Sequence, residues 1–109
     1  MVGVALAPLR LHRALSFKAR LLGLHARPRL SPEQGLWLYP CRAVHTFGLA
    51  YDIDVVFLDA GLRVLKVHAS LGPGRMAFCL RASSVVELHG GYCMGNPYYS
   101  NAIRQALVE

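Results

Sequence analysis

The apolar positions of this chain change their spacing several times, and each change marks an element. Val2, Val4 and Leu6, then Leu9 and Leu11, alternate weakly and predict an opening strand broken near Pro8. Ser16 offers a helix cap, and behind it Phe17, Leu21 and Leu24 share one helical face that Leu15 can staple. Gly23 and Pro28 hold that helix to about two turns. The stretch Arg27 to Gly35 carries two prolines and predicts an exposed loop. Leu36–Tyr39 then reads as a short strand stopped by Pro40.

The strongest β signal spans Asp52 to Asp59. Its core, Val55-Val56-Phe57-Leu58, is unbroken by polar residues, which predicts a strand covered on both faces. Asp59-Ala60-Gly61 is a turn signal. In Leu62–His68, Arg63, Lys66 and His68 interrupt the apolar set, as on a strand with one wet face. Gly72-Pro73-Gly74 breaks the chain, Met76–Leu80 and Ser84–Leu88 read as two more strands, and Gly90-Gly91 closes the second. Asn96-Pro97 marks a helix start, with Asn as cap and Pro in the first turn. Tyr99, Ala102, Ile103, Ala106 and Leu107 form one stripe along a helix over about 97–107, which docks on the sheet. The pattern predicts one domain over 1–109 of mainly β, α+β class. It is a small antiparallel β sandwich or half-barrel with a short N-terminal helix and a C-terminal helix.

Composition sharpens this reading. Hydrophobic residues make up 54% and charged residues 17% of the 109, enough for one core and too apolar for a disordered chain. Twelve Lys and Arg oppose six Asp and Glu, a formal charge of +6. Arg10, Arg13, Lys18, Arg20, Arg27, Arg29 and Arg42 all fall within the first 42 residues, where Glu33 is the only acidic residue. Such a face attracts acidic partners, but the arginines are scattered and no nucleic-acid recognition motif accompanies them. Cys41, Cys79 and Cys93 are an odd number and do not form a disulfide framework, which fits a reducing, cytoplasmic setting. The apolar start is interrupted by Pro8 and Arg10, and no run approaches the about 20 apolar residues of a membrane helix.

Four segments together resemble a known family, the bacterial and archaeal proteins catalogued as domain of unknown function 192. The resemblance covers about residues 14–91. Arg20, Gly23, Leu24 and Arg27 match a first motif, E-R-x-x-G-L-M-x-R in outline, with Ala19 in place of the acid and His25 in place of the methionine. Gly35-Leu36-Trp37-Leu38 matches a glycine followed by a hydrophobic strand. Val44 to Asp59 fits the frame of F-W-M-K-N-T-x-I-P-L-D, a hydrophobic run and D. His45 stands at the frequent Trp, and Asp52 at the Pro. Val85-Val86-Glu87-Leu88-His89-Gly90-Gly91 matches V-L-E-L-x-x-G. The resemblance implies a compact, mainly β fold and no agreed activity. Some relatives of this short, signal-less kind look like products encoded beside pilus-assembly and secretion genes, an associational hint only.

Candidate chemistry concentrates at Val44–Asp54. His45 with Asp52 or Asp54 has the makings of a base and its orienter, but no nucleophile motif stands near them. Asp54, at the start of a buried strand, can instead accept backbone N–H groups from the preceding loop or pair with Arg20 or Arg27. Cys41, His45, His89 and Cys93 supply zinc-type donors at only loosely zinc-like spacing, and no cofactor motif is present. The expectation is a small non-enzymatic binding or accessory module. Its site would be lined by Arg20, Arg27, Arg42, His45, Thr46, Asp52 and Asp54, and its partner would be an acidic protein segment or a small anion. A hydrolase-like enzyme using His45 and Asp54, and a weak nucleic-acid binder, are the alternatives.

Overall fold

Two central strands organise the molecule, whose computed structural model describes residues 8–108. Val2, Val4 and Leu6 of the expected opening strand, and the Phe17 side chain, lie outside the described residues. The central strands are β4 (Ile53–Leu58), buried throughout, and β7 (Ser84–His89), buried up to its half-buried last residue. They pair antiparallel, with Val55 opposite Glu87 and Val56 opposite Val86. Around them lie β1 (Arg10–Ala14), β2 (Gln34–Leu38) and β5 (Val64–Leu71), giving the order β1-β2-β7-β4-β5. A second, two-stranded sheet pairs β3 (Ala43–His45) with β6 (Met76–Phe78). β6 stops at Phe78 and not at the expected Leu80, because Cys79 and Ala82 close a turn with a 3.0 Å backbone bond.

The fold is the mainly β half-barrel or sandwich with short helices that the pattern predicts. One pairing departs from the antiparallel rule: β1 runs parallel to β2. Parallel neighbours need a crossover connection. Here it consists of α1 (Phe17–Leu22), a 3-10 turn (Gly23–Ala26) and the loop that follows. Ser16 caps α1, its hydroxyl accepting the Ala19 N–H at 3.1 Å.

Successive residues of a strand point to opposite faces, and the two central strands use this to serve two cores. Ile53, Val55, Phe57 and Val85 enter the first core with Leu24, Leu36, Leu38 and Val44. Val56, Leu58, Val86 and Leu88 enter the second. The C-terminal helix α3 (Tyr99–Val108) covers that second core with Ala102 and Ile103 buried and Tyr99 and Leu107 half-buried. It begins at Tyr99, later than the expected Pro97. The Asn96 side chain donates to the Tyr92 carbonyl at 2.8 Å and closes a preceding short helix, α2 (Tyr92–Gly95), instead of capping α3. Gly35 lets β1 and β7 approach β2. A Cβ there would stand 2.6 Å from a Leu11 methyl and 2.8 Å from a Leu88 methyl.

Candidate functional site

The crossover closes over one face of the sheet and leaves a cavity of about 250 Å³. Its mouth is formed by Arg20, Leu21 and Leu22 of α1, His25 of the 3-10 turn, and Ala43 and His45 of β3. Its floor is Leu24, Leu38, Val44 and Glu87, all buried. Cys41 and Leu49 complete the wall.

Glu87 is the anomaly in this floor. It sits mid-strand in β7, opposite Leu36 on one side and Val55 on the other, on the face that its neighbour Val85 turns into the first core. It is 4% exposed, and its Oε1 is fully buried with no hydrogen-bond partner. Burial alone pushes its carboxyl up from 4.5 to about 7. Gly23, at the end of α1, leaves the space above it: a Cβ there would lie 3.5 Å from Oε1, and its φ of +50° suits glycine.

The other polar groups of the lining are engaged. Arg20 Nη1 donates to the carbonyls of Leu15 at 3.0 Å and Tyr39 at 3.4 Å. The His25 ring nitrogens face two carbonyls, Leu22 at 3.1 Å and Phe47. His45 Nδ1 accepts the Phe47 N–H at 3.2 Å, which assigns the proton of a neutral ring to Nε2. The His25 and His45 rings lie 5.3 Å apart, and Phe47 stacks beyond His45 at 5.2 Å, so the mouth carries a short aromatic row. The Cys41 thiol donates to the Ala43 carbonyl at 3.2 Å. Burial is the largest influence on it and raises it above its ordinary value, with the Glu87 charge adding and Arg20 opposing. A thiol held protonated is a poor nucleophile.

Of the residues that the sequence proposes for a binding site, Arg20 and His45 border this cavity, and Arg27, Arg42, Thr46, Asp52 and Asp54 do not. Asp54 is fully buried and points to the opposite face of the sheet from Glu87. Its Oδ1 accepts the N–H of Ser70 at 2.8 Å and of Gly91 at 3.0 Å, and its Oδ2 that of Cys93 at 2.8 Å. Its partners are therefore amides of β5 and of the chain after β7, neither the preceding loop nor an arginine. The His45–Asp54 pair is not assembled, because strand alternation sends the two to different sides. Thr46 is equally committed. Its hydroxyl accepts the Arg75 N–H at 2.8 Å and donates to the Gly72 carbonyl at 2.7 Å, pinning the β5–β6 turn. Asp52 and Arg42 are exposed, and Arg27 is half-buried.

The zinc-type set is not gathered either. Among the described residues, no group of three or more His, Cys, Asp or Glu side chains is arranged to hold a metal ion. Cys41 packs against the first core, whereas Cys93 belongs to the second. There burial and the neighbouring Asp54 push the Cys93 thiol up to about 12.

Glu87 and His25 border the cavity although the sequence pattern does not single them out as site residues. A signal for Glu87 is present in the chain: a lone carboxylate inside the apolar run Val85–Leu88.

A mainly β half-barrel with a largely apolar cavity floored by an unpaired carboxylate defines a small scaffold with a pocket beneath its crossover. The chain belongs to the domain of unknown function 192 family (Uncharacterized ACR), whose model matches residues 3–96. Among curated proteins none matches. Two solved structures share the fold. One is a protein of unknown function from Novosphingobium aromaticivorans DSM 12444, with 20% identity, a TM-score of 0.71, and coverage of 80% of this chain and 67% of that one. The other is named as a candidate transcription regulator from Sinorhizobium meliloti 1021, with 17% identity, a TM-score of 0.72, and coverage of 80% and 73%. Among the described residues no helix is long and apolar enough to cross a membrane.

Proposed function

We propose that this protein is a small-ligand binding module whose site is the Glu87 cavity. The observation that carries the reading is Glu87 itself, nine-tenths buried, without a partner, at the floor of an apolar pocket. A buried ionisable group left unpaired costs stability, and such costs gather at binding and catalytic sites. Apolar walls around one polar anchor are the usual build of a small-molecule pocket.

The geometry favours binding over hydrolysis by His45 and Asp54, since Asp54 is spent on three backbone amides and Cys41 is held as a thiol. An acidic segment or small anion would draw on Arg20, Arg27 and Arg42. Of these Arg20 alone borders the cavity, and its Nη1 is already taken by carbonyls. Nucleic-acid binding loses support in the same way. Arg13 lies over the Trp37 ring at 5.4 Å and Arg29 over the Tyr51 ring at 4.6 Å, so part of the basic charge is laid against the protein's own surface. A role beside pilus assembly or secretion draws nothing from the site or from the comparisons.

The test is an amide-shift screen of small compounds by NMR on the 15N-labelled protein. Binders are expected to move the signals of Gly23, Leu24, Val44 and Glu87 together, and Ala43→Trp, at the exposed mouth, to weaken them. A screen in which no compound moves those four signals overturns the reading.

A further inference from the structure

We infer that the ligand is a small primary ammonium ion on a short apolar body, its nitrogen donating to Glu87. This rests on the ligand-binding reading above and assigns the chemical class that the pocket takes.

The pocket selects by complementarity. The walls within reach are Leu24, Leu38 and Val44, which offer no hydrogen bonds. Around the mouth, Arg20 Nη1 and His25 bond backbone carbonyls and the Cys41 thiol bonds Ala43; the further donors there, His45 Nε2 and the rest of the Arg20 guanidinium, belong to the mouth and not to the floor. What is left at depth is an acceptor, the Glu87 carboxylate. A ligand carboxylate would meet its ionised form as a like charge, and a purely apolar ligand would leave it unpaired. An ammonium supplies three donors and the opposite charge. The cavity, about 250 Å³, holds roughly eight groups of water size at about 30 Å³ each. That suits an alkyl chain of a few carbons.

The protonation state helps. With its carboxyl held at about 7, Glu87 is close to half-ionised at neutral pH. Little of the ammonium's attraction is consumed in removing the proton.

The experiment compares three probes of one shape at pH 7: isobutylamine as its hydrochloride, isobutanol and isobutyrate. Binding is followed by the 15N amide signals of Gly23 and Val44 and by the 13C signal of the Glu87 side-chain carboxyl. Isobutylammonium is expected to bind at least about tenfold more tightly than isobutanol and to move the Glu87 carboxyl signal. Glu87→Gln is expected to remove that preference, so that isobutylammonium binds no more tightly than isobutanol. Should that variant fail to fold, the three probes on the unaltered protein decide alone. Equal or tighter binding of isobutanol or isobutyrate overturns the ammonium assignment and leaves the ligand pocket standing. If none of the three moves the Gly23 and Val44 signals, the ammonium assignment falls, and the pocket reading is decided by the broader screen.

Discussion

Glu87 ties folding stability to pH, and the size of the effect follows from its burial. In the unfolded chain its carboxyl titrates near 4.5; in the folded protein burial lifts it to about 7. Between those values the native state keeps a proton that the unfolded chain has lost, so stability falls as pH rises. The contribution is fully present below about 4.5 and gone above about 7. A tenfold difference in proton affinity between the two states is worth about 1.4 kcal/mol, so the loss is of order 3 kcal/mol. That is a large part of the roughly 5–15 kcal/mol typical of a domain. Glu87→Gln keeps the shape and cannot ionise. Urea unfolding of both proteins at pH 4.5, 6 and 8 isolates the effect in the difference between their midpoints, since the other titrating groups are common to both. The native protein is expected to lose about 3 kcal/mol relative to the variant between pH 4.5 and 8. Parallel pH profiles for the two proteins would refute the buried, unpaired state of Glu87 and with it the site.

Other perturbations probe the scaffold that carries the pocket. Asp54→Ala strips the acceptor from the Ser70, Gly91 and Cys93 amides. At about 1–3 kcal/mol for each orphaned buried donor, it should lower the unfolding free energy by several kcal/mol without changing probe binding to the folded fraction, as read by denaturant titration. Gly35→Ala places a methyl within 2.6 Å of Leu11 and 2.8 Å of Leu88. Overpacking of this kind costs about 1–3 kcal/mol, visible as a lowered Tm with the pH dependence of Glu87 unchanged. With both thiols raised by burial, Cys41 and Cys93 should alkylate slowly with iodoacetamide at pH 7.5 and rapidly in urea. Mass spectrometry of the labelled peptides reads this directly, and fast native labelling of Cys93 would contradict its place in the second core.

The chain's own pattern carries most of the architecture. The unbroken run Val55–Leu58 already implies a strand with both faces covered, and β4 is buried along its length. The stripe through Ala102 and Ile103 implies a docked terminal helix, and α3 buries both. These features are local: a period of two or of 3.6 residues is written in consecutive positions. The ends of elements are less legible. The Asn96 side chain finds the Tyr92 carbonyl instead of the first turn of α3, a choice made by α2 docking on the second core.

The site is divided differently by sequence and by structure. His45, Thr46, Asp52 and Asp54 stand close together along the chain and look like one polar cluster. Strand alternation and pairing separate them: Asp54 faces the second core, Thr46 binds the β5–β6 turn, and of the four His45 alone reaches the cavity. Glu87 is distant in sequence from all of them. It becomes the floor of the pocket because β7 pairs between β2 and β4 and the β1–β2 crossover closes above it. Local spacing determines which residues share a face of a strand. Which faces meet, and which carboxylate is left without a partner between them, is a matter of long-range pairing, and only the tertiary structure decides it.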